Sequence, residues 1–295
     1  MRVYIPSRGR CDERVMRSPA AGLPPGTDVV WVVGPDELAD YRRTLGAYGV
    51  QGIVLPCALQ PQISLVRAWI GKHAARDGLD KFSMMDDDVG FLVRKSRLAW
   101  NLRPTAPEET SQMMRWMESA LDAFQQVGIS AREGNNQMGP GTPYTLAARN
   151  TRVMRVVAYQ TAAFLAVRHC RTTVMEDFDV TLQILRSGGE NLVTYWWAQG
   201  QRMTNENGGC SSWRTLEIHE ESARRLAELH PGLVSLRQKQ NRGDQDGLGT
   251  RLEVTVQWKA AAEQGRHLRE ARSVHQPHGE RMGRPSEGTV QEILP

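Results

Sequence analysis

Residues 1–93 alternate short apolar runs, each closed by proline or glycine, with stretches of helical spacing, and few folds tolerate that alternation. The apolar runs are Arg2-Val3-Tyr4-Ile5 before Pro6, Asp28 to Val33 before Gly34-Pro35, Gly52-Ile53-Val54-Leu55 before Pro56, and Lys81 to Met85. Between them, Asp36 to Leu45 reads as a helix with Asp36 as its N-cap. Ile63, Val66, Ile70 and His73-Ala74 recur at the spacing of an amphipathic helix over 62–76. Strands that trade with helices predict an α/β fold, with a mostly parallel, Rossmann-like central sheet flanked by helices.

The chain then changes character. Pro107 to Val127 predicts a helix with Met114, Met117, Leu121 and Phe124 on one face. Residues 130–150 read as a long loop rich in Gly, Asn and Pro. Val153 to Val167 reads as strand-rich, Glu176 to Ser187 as a helix, Asn191 to Trp197 as a strand, Glu217 to His230 as a helix and Leu252 to Trp258 as a last strand. Residues 1–258 form one expected domain, and residues 259–295 a polar tail expected to be poorly ordered.

Composition removes several classes. Hydrophobic residues make up 40% of 295, and mean hydropathy is −0.48. Neither wholesale disorder nor a membrane-spanning helix fits those values, and no membrane partner is expected. The first residues predict no leader peptide. Cys11, Cys57, Cys170 and Cys210 are scattered without a CxxC pair, as free thiols of a reducing cytoplasm would be. Of 37 basic residues only Lys72, Lys81, Lys95, Lys239 and Lys259 are lysines, which leaves 32 arginines. With a pI near 9.0, that suits phosphate recognition by bidentate guanidinium groups, and equally a GC-rich coding sequence.

Three clusters carry chemistry. The sharpest is Asp86-Asp87-Asp88, placed directly after the fourth strand. Ligands of such sheets bind beyond the carboxyl ends of the strands. On an extended chain Asp86 and Asp88 point the same way while Asp87 turns aside. Two converging carboxylates suit a hard divalent ion, Mg²⁺ or Mn²⁺. An EF-hand is excluded, because Phe91 stands where its glycine belongs and Arg97 where its glutamate belongs. The second cluster is Pro6-Ser7-Arg8-Gly9-Arg10, a loop after strand one that can wrap a nucleotide. It is neither a Walker A loop nor GxGxxG. The third is Glu176-Asp177-Phe178-Asp179 at a helix start, either a set of acids favoured by the helix dipole or a general base at the sheet edge.

In this order the three clusters resemble the GT-A glycosyltransferases, and the PSRGR opening and EDFD resemble more narrowly the phage TET-associated glycosyltransferases. The resemblance covers residues 1–258 and implies a GT-A-like fold, with a nucleotide-sugar half over 1–93 and an acceptor half over 94–258. It implies transfer of a sugar from a nucleotide-diphosphate donor, a UDP-sugar foremost, to a hydroxymethylated pyrimidine in DNA. Pro6, Ser7, Arg8, Arg10, Asp86 and Asp87 would contact the donor. Asp86 and Asp88 would hold Mn²⁺ or Mg²⁺, and His219 or His230 would add a metal or phosphate contact. Asp177, with Glu176 as second choice, would be the base. The phage resemblance implies action in the host cytoplasm.

On the acceptor side, Arg94-Lys95-Ser96-Arg97, Trp100 and Arg103 interleave base and aromatic, as a phosphate-tracking strip would, or as a solvated loop would. Trp196-Trp197 reads as packing, and residues 130–150 as a lid. Two other readings stay open. A nucleotidyltransferase would also use an acidic cluster at a strand end, but lacks here its Gly-rich, Lys-bearing loop. A non-catalytic nucleic-acid-binding protein fits the arginine excess, but not the acids. A haloacid-dehalogenase-type phosphatase would carry its Asp-x-Asp after the first strand, not the fourth.

Overall fold

A computed structural model describes residues 1–96, 101–132, 146–201, 214–240 and 250–274. The strands are β1 (Arg2–Pro6), β2 (Val29–Val33), β3 (Ile53–Pro56), β4 (Lys81–Met85), β5 (Val89–Arg94), β6 (Leu102–Pro104), β7 (Gln126–Ala131), β8 (Ala147–Arg149), β9 (Val156–Gln160), β10 (Asn191–Gln201), β11 (Val234–Lys239) and β12 (Arg251–Val256). The helices are α1 (Pro19–Gly22), α2 (Leu38–Tyr48), α3 (Ile63–Arg76), α4 (Pro107–Ala120), α5 (Thr161–Leu165), α6 (Glu176–Arg186), α7 (Leu216–Leu229) and α8 (Trp258–Val274).

The central sheet runs β3-β2-β1-β4-β9-β7-β10-β5-β6, with β8 pairing β10. The first four strands pair in parallel, as their helical connections require. β9 enters antiparallel between β4 and β7, and β5 antiparallel beside β10. Most strands of the sheet still point one way, with β5, β8 and β9 reversed. The carboxyl ends of β1 and β4 therefore lie side by side, and the turn after β4 faces the loop after β1.

Apolar clusters cover both faces. Trp31, Tyr41, Trp116, Met117 and Trp197 lie in one, under α2 and α4. Tyr4, Ile70, Phe82, Phe164 and Ile184 lie in the other, under α3, α5 and α6. A third cluster joins Leu182 and Leu185 of α6 to Ala223 and Leu226 of α7, Val254 of β12 and Ala261 of α8. Among the described residues no helix is long and apolar enough to cross a membrane.

Several expectations change. The helix from Pro107 stops at Ala120, because Gln126 to Ala131 is buried along its length and is drawn into the sheet as β7. β5 was not foreseen. Val153 to Val167 splits into β9 and the short α5. Asp36 does not cap α2, since its carboxylate is taken by Arg8. Residues 130–132 and 146–150 are described at the flanks of the expected lid, with 147–149 in β8, while 133–145 lie outside the described residues.

The tail also needs correcting. Residues 258–274 form α8, with Ala261 fully buried and Ala262 nearly so, while residues 275–295 lie outside the described residues. α8 docks on α6 at Gly265, where a Cβ would meet the carbonyl oxygen of Leu185 at 1.9 Å. A backbone atom cannot yield as a side chain can. Gly265→Val is therefore expected to destabilise the protein by about 1–3 kcal/mol, lower the melting temperature by several degrees and let protease release α8 first. Unchanged melting and protection would show that α8 does not need this contact.

Candidate active site

The site starts where β1 ends. Ser7 continues the strand, donating its N–H to the Val32 carbonyl at 3.0 Å. Its hydroxyl lies 2.6 Å from the Tyr41 hydroxyl and also bonds the Asp87 carboxylate. Arg10 bonds Asp87 with the same guanidinium nitrogen that sits 3.3 Å from Asp88. Arg8 goes elsewhere. Its guanidinium forks onto both oxygens of Asp36 at 2.8 and 2.9 Å, and the Gly9 N–H is held by Glu37 at 2.7 Å. The loop thus sends Ser7 and Arg10 to the acidic triple and Arg8 to the connection after β2.

Asp86, Asp87 and Asp88 lie in the tight turn between β4 and β5, outside the strand proper. The two-residue alternation expected of an extended chain therefore does not apply. Asp87 and Asp88 share Arg10, while Asp86 faces α3 and takes a 2.8 Å hydrogen bond from Arg67. The Asp86 N–H is tied to the Arg155 carbonyl at 2.9 Å. One Asp88 oxygen accepts from Gln201 Nε2 at 2.9 Å. Its other oxygen, Oδ1, is buried and has no hydrogen-bond partner among the described residues. Burial raises the Asp86 and Asp87 pKa values, Asp87 to about 6, and neighbouring carboxylates add to the rise against Arg67 and Arg10 respectively.

Arg67 is the residue that sequence reasoning missed. Its other terminal nitrogen binds Glu176 at 2.7 Å, so one guanidinium joins the turn after β4 to the start of α6. Burial opposes its charge, but Glu176, Asp86 and Asp177 together raise its pKa. Its signal is an arginine one position after Val66 on an otherwise apolar helix face.

α6 opens at Glu176 behind Met175, whose φ is 64°. Burial pushes the Glu176 pKa from 4.5 to about 7, and Asp177 adds to the rise while Arg67 opposes it. Asp177 is half-buried and makes no hydrogen bond or ion pair with any described residue. Both acids line a small cleft with Arg67, Tyr159 and Cys170. A larger polar cavity of about 530 Å³ opens beside it and shares Ser64 and Cys170. If Glu176 must be ionised for turnover, kcat/KM should rise about tenfold per pH unit up to near pH 7 and then level. A profile flat between pH 5 and 8 would exclude it. The same raised pKa works against the ligand-free fold. Folded Glu176 holds a proton that the unfolded chain has lost between about pH 4.5 and 7, so its contribution to stability declines as pH rises through that window.

Asp179, the last acid of the motif, is structural. It is held by Arg171 at 2.9 Å and by His230 at 2.8 Å, and His230 in turn meets Arg186 at 3.2 Å. His230 is thereby spent. His219 sits on α7 with its Nδ1 2.6 Å from Arg214 and its Nε2 3.8 Å from Glu253. These contacts belong to α7 and the β11–β12 hairpin. No contact among the described residues joins either histidine to Asp86 or Asp88. Among the described residues no group of three metal-capable side chains occurs.

Two arginines of the basic strip after β5 are taken up within the fold, while Lys95 and Ser96 are exposed. Arg94 is buried and donates to the Tyr195 carbonyl at 2.7 Å, and Arg103 forks onto Glu109 at 2.7 and 2.6 Å beside the start of α4. Residues 97–100, including Arg97 and Trp100, lie outside the described residues. Trp197 is buried, as packing requires.

Solved structures with a similar chain path include mannose-1-phosphate geranyltransferase from Thermus thermophilus, at 12% identity and TM-score 0.41, covering 67% of this chain and 74% of that one. GalNAc-T7 with UDP, GalNAc and Mn²⁺ aligns at 13% identity and TM-score 0.47, over 77% of this chain and 47% of that one. 4-Diphosphocytidyl-2C-methyl-D-erythritol synthase from Anaerococcus prevotii aligns at 13% identity and TM-score 0.40, over 65% and 87%. Such loose alignments cross reaction types and do not choose among them. No curated protein matches the chain in sequence. The choice comes from the sequence profile of the TET-associated glycosyltransferases, which matches residues 1–209 and so spans the loop after β1, the acidic turn, Arg67 and the start of α6. By that match the chain belongs to the TET-associated glycosyltransferase family.

Proposed function

We propose that this glycosyltransferase moves a sugar from a nucleoside diphosphate, UDP foremost, to the hydroxyl of a hydroxymethylated pyrimidine in DNA, with a divalent ion at the acidic turn. The observation that carries the reading is the Arg67 bridge. It joins Asp86 of the acidic turn to Glu176 at the start of α6 through one guanidinium, which supports a single site for donor and acceptor chemistry.

The residues fit the ion. Asp88 Oδ1 is a buried oxygen that hydrogen bonding among the described residues leaves unsatisfied. Asp88 would hold Mn²⁺ or Mg²⁺ through that oxygen, with Asp86, which feels the Asp88 charge, as the second carboxylate, and phosphate and water would supply the remaining ligands, the habit of small hard cations. Bound there, the ion supplies Lewis-acid stabilisation of the charge that builds on the departing diphosphate. Ser7 and Arg10 fix the turn against the first loop. Arg67 holds Glu176, while Asp177 has no hydrogen bond or ion pair among the described residues and takes the acceptor proton. The 530 Å³ cavity beside the cleft gives an extruded nucleotide room to enter.

The test is incubation of the protein with a panel of nucleotide sugars, Mn²⁺ and hydroxymethylated DNA. Nucleoside diphosphate release with a mass gain of one hexose or related sugar on the DNA supports the reading. Pyrophosphate release from nucleoside triphosphate and a sugar phosphate would move the protein to nucleotidyl transfer, and DNA binding without turnover would make it an accessory protein.

A further inference from the structure

The segment 150–155, between β8 and β9, is pinned at each end. The Asn150 N–H binds the Asn191 carbonyl at 3.0 Å, and the Thr151 N–H binds the Asn191 side chain at 3.0 Å, which donates back to the Thr151 carbonyl at 2.8 Å. Val153 is buried and packs where a Cβ on Gly128 would stand, 2.2 Å from such an atom. Arg155 closes the segment by accepting the Asp86 N–H. Arg152 therefore projects from a fixed piece of backbone.

Its guanidinium lies over the Phe178 ring, 4.3 Å from the centroid, and Phe178 leans on Trp258 at 5.6 Å. Phe178 directly follows Asp177, so the cation sits beside the proposed base. Stacking fixes the plane of a guanidinium and leaves its edge N–H groups free to fork onto an anion.

Among the described residues no carboxylate takes those donors: Arg152 is solvent-exposed and makes no hydrogen bond or ion pair. The other arginines of the region differ. Burial works against Arg10 and Arg67, and their carboxylate neighbours more than reverse it. Asp36 raises Arg8, and Glu109 raises Arg103. For Arg152 burial wins over the attraction of Asp177, Arg155 adds repulsion, and the pKa falls below the ordinary arginine value. A cation that is stacked in place on an aromatic ring, open to solvent at its edge and unpaired among the described residues is prepared for an anion from outside.

We infer that Arg152, stacked on Phe178 and carried by the pinned 150–155 segment, is a phosphate-binding residue of this site. The inference rests on the glycosyltransferase reading for its ligands. Two phosphates meet beside Asp177 in that reading, the diphosphate of the donor and the phosphodiester flanking the acceptor nucleotide, and both offer the same oxyanion chemistry.

The experiment compares wild type, Arg152→Ala and Arg152→Lys as full chains, with three probes read by calorimetry: UDP with Mn²⁺, an oligonucleotide carrying 5-hydroxymethylcytosine, and inorganic pyrophosphate. Thermal melting checks that the variants fold. The expected result is a loss of about 10–100-fold in affinity for one probe in the alanine variant, only partly restored by lysine. Loss on UDP alone assigns the donor diphosphate. Loss on the oligonucleotide, with its salt dependence reduced by about one unit of slope, assigns the acceptor backbone. If all affinities stay within twofold, Arg152 only covers Phe178 and the inference is overturned. If wild type binds neither UDP nor DNA, the glycosyltransferase reading fails separately. Pyrophosphate then decides the site: loss of its binding in Arg152→Ala keeps the phosphate assignment, and unchanged or absent binding removes it.

Discussion

Asp177→Asn is expected to slow sugar transfer by about 10²–10⁴ while donor affinity stays nearly unchanged. The size is what a placed general base contributes to proton removal from an attacking hydroxyl. The two acids at the start of α6 are not equivalent. Glu176 is clamped by Arg67 at 2.7 Å and holds its proton to about pH 7, whereas Asp177 has no partner among the described residues. A base needs an oxygen the substrate can reach. Asparagine keeps size and polarity and removes only the proton acceptor. Glu176→Gln should act differently, because it discharges one arm of the Arg67 bridge and so also disturbs Asp86. Single-turnover assays with hydroxymethylated DNA and the correct donor separate the two. Wild-type transfer by Asp177→Asn, with transfer lost in Glu176→Gln, would exchange their roles. Full activity in both would reduce the motif to a helix start.

A comparable loss, about 10²-fold or more, is expected for Asp88→Asn, together with loss of metal-assisted nucleotide binding. Lewis-acid stabilisation of a leaving diphosphate is worth several kcal/mol, which sets that scale. The fold should survive, because asparagine can still accept from Gln201 and no longer repels Asp87. Melting temperature, UDP affinity with and without Mn²⁺, and turnover in EDTA measure the three parts. Full turnover of the variant in EDTA would remove the metal from this turn.

Local patterns carried much of the fold in the sequence. Strands ended by Pro6, Gly34 and Pro56 and the periodic helix of Ile63, Val66 and Ile70 are all present. What misled was competition from distant partners. Gln126 and Val127 end a convincing helix, and residues from 130 read as loop, until β9 and β10 claim 126–131 as a strand. Ala261 and Gly265 read as part of a polar tail until α6 is seen beneath them. The acidic turn and the EDFD motif were legible as clusters, because repelling charges packed together need an explanation wherever they occur. Arg67 was not, since a single arginine on a helix is ordinary until its two carboxylates, 19 and 109 residues away, are seen around it. Arg8 looked available only because Asp36 was not yet known to face it, and one ring nitrogen of His219 is likewise taken by Arg214.

The third apolar cluster bears on how much chain an active enzyme needs. The family match ends at residue 209, yet the underside of α6 is covered by α7, β12 and α8, all beyond it. A chain cut at that limit would leave Leu182 and Leu185 in water and take His230 from the buried Asp179. The helix bearing both proposed acids would lose its footing while every recognised motif remained. Expression trials guided by the match alone should thus yield aggregates, and the shortest soluble enzyme should include the buried face of α8 at Ala261, Ala262 and Gly265.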